Sequence, residues 1–207
     1  MPKLLVTGGS GMLGSYVASQ AAQSGWETWA TYSAHPVDLP GCRTVKADIR
    51  RAEEIDAIVA DLKPDVVIHT AAIVKPDVCE EYPRGAFETN ILGAFNTIQA
   101  AERVEAHFIH VSTDLVFEGE RGPIKEDDIL CPPNYYGLTK TAADVILCVQ
   151  ALGTTAVSYA PAGGAWVAWG RCGTTEASVR LLHPQSTDQP HAPPREDRLR
   201  ILDPRSS

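Results

Sequence analysis

Three short stretches of this 207-residue chain place chemically capable residues at telling spacings. Tyr136 and Lys140 stand four apart in Tyr136-Gly137-Leu138-Thr139-Lys140, which on a helix puts a phenol and an ammonium on one face. A neighbouring ammonium stabilises a phenolate and draws the phenol down from its usual pKa of ~10, so the tyrosine can exchange a proton with a carbonyl or hydroxyl. Ser112-Thr113-Asp114 closes an apolar run. Open parallel sheets bind ligands beyond such strand ends, and a hydroxyl there reaches the same substrate oxygen that the tyrosine protonates. The third stretch, Val6-Thr7-Gly8-Gly9-Ser10-Gly11-Met12-Leu13-Gly14, has the makings of a phosphate cradle. Gly8 permits the tight turn, Gly11 the approach of backbone to a pyrophosphate, and Gly14 close packing of helix on sheet, while the helix N-terminus offers free N–H groups and positive dipole. Taken singly, each stretch has an ordinary account: a solvated helix start, a strand-end turn, a plain glycine turn.

The elements needed to hold these residues follow from hydrophobic periodicity. Apolar runs predict strands over 3–7, 27–32, 44–47, 66–70 and 107–112, and helical spacing predicts helices over 12–24, 51–62, 82–103 and 136–152. In 51–62 the apolar positions Ile55, Ile58, Val59 and Leu62 fall on one face. Regular strand–helix alternation predicts an α/β fold, a doubly wound parallel sheet of Rossmann type covered on both faces. The glycine turn then lies between the first strand and the first helix, and Thr113 and Tyr136 lie toward the same edge of the sheet.

Composition bounds the function. With 44% hydrophobic and 21% charged residues the chain is globular in type. No apolar run approaches the ~20 residues of a membrane span, and the first residues break into glycines before forming a signal-peptide core, so a cytoplasmic protein is expected. A formal net charge of -8 disfavours nucleic acid and anionic membranes as partners. The five cysteines form no Cys-x-x-Cys pair and are expected to be reduced thiols, with no metal site. His107 and His110 lie on opposite faces of a strand, and ordinary packing accounts for them. Trp26 and Trp29 are expected to pack around the second strand.

In this order and on these elements, the three motifs resemble the extended short-chain dehydrogenase/reductase family. The stretch 112–119, the segment Asn134-Tyr135-Tyr136-Gly137-Leu138-Thr139-Lys140 and Thr31-Tyr32-Ser33-Ala34-His35-Pro36 are most similar to the sugar-nucleotide reductases of the dTDP-4-dehydrorhamnose reductase branch. The resemblance covers about residues 1–157. It implies that Gly8, Gly11, Met12, Leu13 and Gly14 form the pyrophosphate loop, that Asp48 and Ile49 hold an adenine ring, and that Ala71, Ala72 and Ile73 line the nicotinamide-side ribose. It implies Thr113, Tyr136 and Lys140 as the catalytic trio, with Tyr136 and Lys140 also touching the cofactor. Asn90 falls where the family has a structural or proton-relay asparagine, and packing within its helix accounts for it equally well.

The implied activity is NAD(P)H-dependent reduction of a keto group, the 4-keto group of a nucleotide-linked deoxysugar. Tyr136 would give its proton to the carbonyl oxygen, Lys140 would lower the tyrosine pKa and hold the ribose, and Thr113 would hydrogen-bond the developing alkoxide. Leu115 stands where related 4,6-dehydratases carry the Glu of Thr-Asp-Glu, which favours reduction without elimination. Tyr32-Ser33 ends the second strand without the acidic ligand for an NAD ribose, a lean toward NADP(H), yet no arginine stands there for a 2′-phosphate, so NAD(H) stays open. The branch's acidic–lysine pair after the fourth strand is absent, since Val78 follows Asp77 and the lysine is Lys75. Two other functions stay open: a catalytically weak or inactive NAD(P)-binding module or regulatory subunit, and a sugar-nucleotide epimerase, which would retain oxidised cofactor. A homodimer packed through core helices is the implied assembly.

Composition shifts near Gly153. Residues 154–207 hold six arginines, six of the fifteen prolines and none of the six lysines. We therefore expect a nucleotide-binding domain over 1–157 and an irregular, atypical tail over 158–207 where the family carries a substrate lobe. Such a tail reads as a truncated gene or translation in another frame, and genomic sequence staying in one frame with the same tail would sink that expectation.

Overall fold

The computed structural model describes residues 1–119, 124, 128–150, 155–159 and 166–169, with 148–150 and the last two segments described as backbone only. The strands are β1 (Lys3–Thr7), β2 (Glu27–Tyr32), β3 (Cys42–Lys46), β4 (Val66–His69), β5 (His107–Thr113), β6 (Thr155–Tyr159) and β7 (Trp166–Trp169). They form one sheet in the order β3-β2-β1-β4-β5-β6-β7, parallel throughout except for the antiparallel β6–β7 pair. The helices are α1 (Met12–Gln23), α2 (Ala52–Leu62), α3 (Pro76–Glu81), α4 (Pro83–Ala86), α5 (Gly93–Arg103) and α6 (Tyr135–Gln150).

Alternation along each strand distributes the core to both faces. Leu5, Val67 and Phe108 pack with Ile55, Val59 and Leu62 of α2 and Ile98 and Ala101 of α5, while Leu4, Val6, Ala30 and Val66 pack with Ala18 and Ala21 of α1. The apolar stripe expected in 51–62 is thus the one that α2 buries, with Ile58 at its margin. Trp26 and Trp29 pack against the two clusters, one on each side of β2. Burying a large aliphatic side chain contributes about 1.5–3 kcal/mol, so these two layers fix the strand order that positions everything at the sheet's C-terminal edge.

Two local features depart from the periodicity. The expected helix over 82–103 is α4, a π-helical turn Phe87–Leu92 and α5 in series, preceded by α3. The helix expected over 136–152 begins at Tyr135; residues 151 and 152 lie outside the described residues. Strand β6 covers the run 156–159, whose sequence allows one more strand, and β7 adds a strand beyond it. The remainder of 158–207 lies outside the described residues. Among the described residues no helix is long and apolar enough to cross a membrane. No group of three or more His, Cys, Asp or Glu among them could hold a metal ion, and Cys42, Cys79 and Cys131 are free thiols.

Candidate active site

The strand order reverses between β1 and β4, and a crevice opens where their following loops part. The glycine turn forms one wall. Gly8 sits at φ 78° with the Cα of Ala71, in the loop after β4, only 2.8 Å from where a Cβ would stand. A Cβ at Gly14 would meet the Gly8 carbonyl oxygen at 2.2 Å and Thr70 Oγ1 at 2.7 Å, so only glycine allows α1 to seat this close to β1 and β4. Gly11 is the N-cap of α1 and brings no side chain to its first turn, which holds no acidic residue. The first-turn amides of Met12, Leu13 and Gly14 therefore face outward without intrahelical partners. Met12 is exposed and Leu13 half-buried. The chemistry of this cradle fits a pyrophosphate.

Asp48 and Ile49 follow β3. Two arginine nitrogens of Arg50 grip the Asp48 carboxylate at 2.6–3.1 Å and hold its pKa down, and the Asp48 amide donates to Glu54 Oε2 at 2.9 Å. The Arg50 amide also donates to Asp48 Oδ1 at 3.1 Å, so the roughly four lone-pair directions of the carboxylate are all engaged by Arg50, and a further donor would have to displace one of these bonds. The Ile49 side chain is buried against Gly93, and its carbonyl accepts from Asn96 Nδ2 at 3.0 Å. Ala71, Ala72 and Ile73, all half-buried, form the other wall of the crevice.

Asn90 lies inside the π turn and is buried. Its Oδ1 accepts from the Ile73 amide at 2.8 Å, and its Nδ2 donates to the Ile73 carbonyl at 3.0 Å and to Thr139 Oγ1 at 2.9 Å. One amide thus ties the loop after β4 to α6, between the Tyr136 and Lys140 turns. Of the two accounts open from sequence, the described contacts are those of a structural clip.

Thr113 ends β5 and Tyr136 lies in the first turn of α6, both buried; the Thr113 hydroxyl donates to Asp114 Oδ1 at 3.2 Å and accepts from the Leu115 amide at 3.3 Å, and its side chain bears on the phenol. Burial raises the Tyr136 pKa, with Thr113 opposing it. Cys79 of α3 packs beside the ring, and its Sγ reaches the Ile73 carbonyl at 3.4 Å. Lys140 differs from expectation. Its Nζ lies 2.9 Å from His110 Nε2, and it is not among the groups that shift the phenol. The ammonium turns down toward the sheet because an imidazole and a carboxylate stand there. In this arrangement the Lys140 ammonium is bonded to an imidazole of the sheet.

That lower layer was not foreseen. His110, read from sequence as ordinary packing, is fully buried; it stacks on His69 with ring centroids 5.5 Å apart and lies 3.6 Å from Asp144. Ser112 Oγ donates to the other Asp144 oxygen, and His69 Nδ1 pairs with Thr7 Oγ1 at 2.8 Å. Burial lowers both histidines, His69 to about 3, and the Lys140 charge pushes the same way. Burial likewise lowers Lys140 to about 8, against the attraction of Asp144, and raises Asp144 to about 6. A signal did exist: Asp144 follows Lys140 by four residues, the spacing that singled out Tyr136 and Lys140.

A family model described as RmlD substrate binding domain matches residues 2–157. The chain belongs to this family. Its RmlD-type sheet is shared with solved structures of extended short-chain dehydrogenases/reductases. A hypothetical dTDP-4-dehydrorhamnose reductase from Sulfolobus tokodaii aligns at TM-score 0.69 and 29% identity over 77% of this chain and 56% of that one. The Bordetella bronchiseptica enzyme WbmH in complex with NAD+ aligns at TM-score 0.67 and 26% identity over 77% and 56%. Among curated proteins, methionine adenosyltransferase 2 subunit beta of Pongo abelii is 33% identical over 73% of this chain and 44% of its own length. A dTDP-4-dehydrorhamnose reductase of Aggregatibacter actinomycetemcomitans is 32% identical over 71% and 47%. The chain thus spans about half the length of the curated relatives it matches.

Proposed function

We propose that this chain carries the nucleotide-binding and proton-transfer half of an NAD(P)H-dependent reductase acting on the keto group of a nucleotide-linked sugar, the 4-keto group of a deoxysugar being the favoured substrate. The observation that carries the reading is the placing of two buried side chains, Thr113 at the end of β5 and Tyr136 in the first turn of α6, on the same edge of the sheet as the side-chain-free glycine cradle. The backbone of Gly11 to Gly14 would hold the pyrophosphate, Asp48 and Ile49 the adenine, and Ala71 to Ile73 the second ribose. A bound reduced nicotinamide would supply the hydride. Tyr136 donates its proton to the carbonyl oxygen, and Thr113 hydrogen-bonds that oxygen as it gains charge. A raised phenol pKa suits a donor, because the residue must hold its proton until the oxygen becomes basic.

Fluorescence titration with NADPH and NADH tests the cradle: saturable binding is expected, and Gly11→Asp should abolish it. Turnover with a dTDP-4-keto-deoxysugar tests the chemistry. Tyr136→Phe should lower kcat by about 10²–10⁴-fold while NADPH affinity stays within about threefold. Equal turnover by Tyr136→Phe would refute the proposed proton donor. A second reading has its own support, since the curated relatives include the beta subunit of methionine adenosyltransferase 2. On that reading the chain binds nucleotide within a regulatory assembly, and saturable binding with no turnover of any keto-sugar nucleotide would favour it. Turnover with net retention of oxidised cofactor would instead mark an epimerase.

A further inference from the structure

Below the crevice lies a buried polar layer that the proton-transfer scheme leaves unused. Register sets it up: Thr7, His69 and His110 are successive partners across β1, β4 and β5, so all three point to one face of the sheet. That face is the one α6 covers, and from α6 come Lys140 and Asp144, one turn apart. An ammonium only donates, so His110 Nε2 must accept from it, which places the ring proton on Nδ1 and leaves the imidazole neutral. Nδ1 has no hydrogen-bond partner among the described residues. A buried polar atom left unsatisfied costs about as much as a lost hydrogen bond, so the ring is held by what its other edge does.

We propose that His110 is the positioning residue of Lys140, a neutral imidazole on β5 that seats the ammonium one turn of α6 from Tyr136 and keeps it protonated in a buried setting. This rests on the reading of Tyr136 as proton donor given above. A neutral acceptor suits the task better than a direct carboxylate contact. It fixes one of the three N–H directions and leaves two for a phenolate or a ribose hydroxyl, whereas a contact ion pair would resist exchange. Asp144 supplies the counter-charge from beside the same ring edge, held there by Ser112. The groups that bear on Lys140 are therefore His110 from β5, Asp144 from α6, itself held by Ser112 of β5, and His69 behind His110 from β4. Asp114 and Cys79 bear on the phenol rather than on the amine.

The test reads the amine directly, without turnover. The full chain has six lysines, so ¹³Cε-lysine labelling gives six cross-peaks, and the Lys140 peak is the one lost in Lys140→Arg. In the cofactor-free protein its titration midpoint should lie near 8. His110→Gln, whose amide reaches the Nε2 position, should hold the midpoint within about 0.3 pH unit, while His110→Leu should drop it by about one unit or more, the worth of a hydrogen bond to a charged group. A His110→Leu midpoint equal to or above wild type overturns the proposal. If His110→Leu does not fold, His110→Asn takes its place, its amide being one carbon short of Nε2, and coincident midpoints for Gln and Asn overturn the proposal equally. Adding NADPH to the labelled wild type reports separately on the nucleotide reading: a Lys140 peak that does not move counts against that reading and leaves the His110 seat standing.

Discussion

Acidification from pH 7.5 to 5.0 should weaken this fold through its buried imidazoles. His69 has a folded pKa near 3 against 6.5 when exposed. Between those values the unfolded chain binds a proton that the folded chain refuses, so the stability due to neutral His69 is complete above 6.5 and is lost as pH falls toward 3. At pH 5.0 the fall has covered 1.5 units, and at 1.36 kcal/mol per unit this costs about 2 kcal/mol. His110, lowered for the same reason, acts in the same direction. Asp144 opposes them, because its folded pKa near 6 exceeds the ordinary 3.8 and the folded state takes up its proton first, returning about 1 kcal/mol over the same range. Urea unfolding followed by fluorescence at both pH values gives the wild-type loss. Repeating it with His69→Asn, which keeps an acceptor for Thr7, isolates the imidazole, since any packing defect costs the same at both pH values and cancels. The difference of differences should be about 2 kcal/mol, with the variant the less acid-sensitive. A value within about 0.5 kcal/mol of zero, the ordinary limit of additivity, would mean His69 is not held neutral by burial, and the account of the lower layer would fail with it.

Four substitutions, one of them a control, test the scaffold of the crevice. Gly14→Ala puts a Cβ 2.2 Å from the Gly8 carbonyl oxygen, so α1 must back away from the sheet; a loss of about 1–3 kcal/mol in urea and at least tenfold weaker NADPH binding are expected. Gly85→Ala is its control, with nothing within 4 Å of the new methyl, and should leave stability unchanged or up to about 1 kcal/mol higher. Gly137→Ala would meet the Leu115 carbonyl at 2.1 Å and push α6 off the turn after β5, which should part Tyr136 from Thr113 and reduce kcat before it reduces NADPH affinity. Asn90→Leu should cost about 1–3 kcal/mol for each backbone group of Ile73 left unpaired, read by thermal or urea unfolding, and unchanged stability would contradict the clip.

Most of the fold was legible because parallel strands buried on both faces read as unbroken apolar runs, and Val6, Val67 and Phe108 sit in such runs. The cradle was legible because backbone geometry demands glycine at Gly8 and Gly14 whatever the surroundings. What packs over a strand is not written in the strand. His110 showed its face but not that α6 would lay Lys140 upon it, so it looked like filling. The pairing of Tyr136 with Lys140 came from helical spacing alone, and the same spacing one turn further would have added Asp144 as a rival for the ammonium. The π turn was invisible because Phe87–Leu92 has the composition of any helix; only the three partners of Asn90 show what it serves.

That π turn also makes chain length a part of the site. A π turn holds one residue more than the α-helical turn it replaces, and each residue in a helix advances the face by about 100°. Removing any single residue between Phe87 and Leu92 would let the segment relax into regular α-helix, locally a more favourable state, while turning α4 and everything before it by that angle relative to α5. A helix improved by its own standards would then point Asn90 away from Ile73 and Thr139, so deletions here should be worse tolerated than most substitutions.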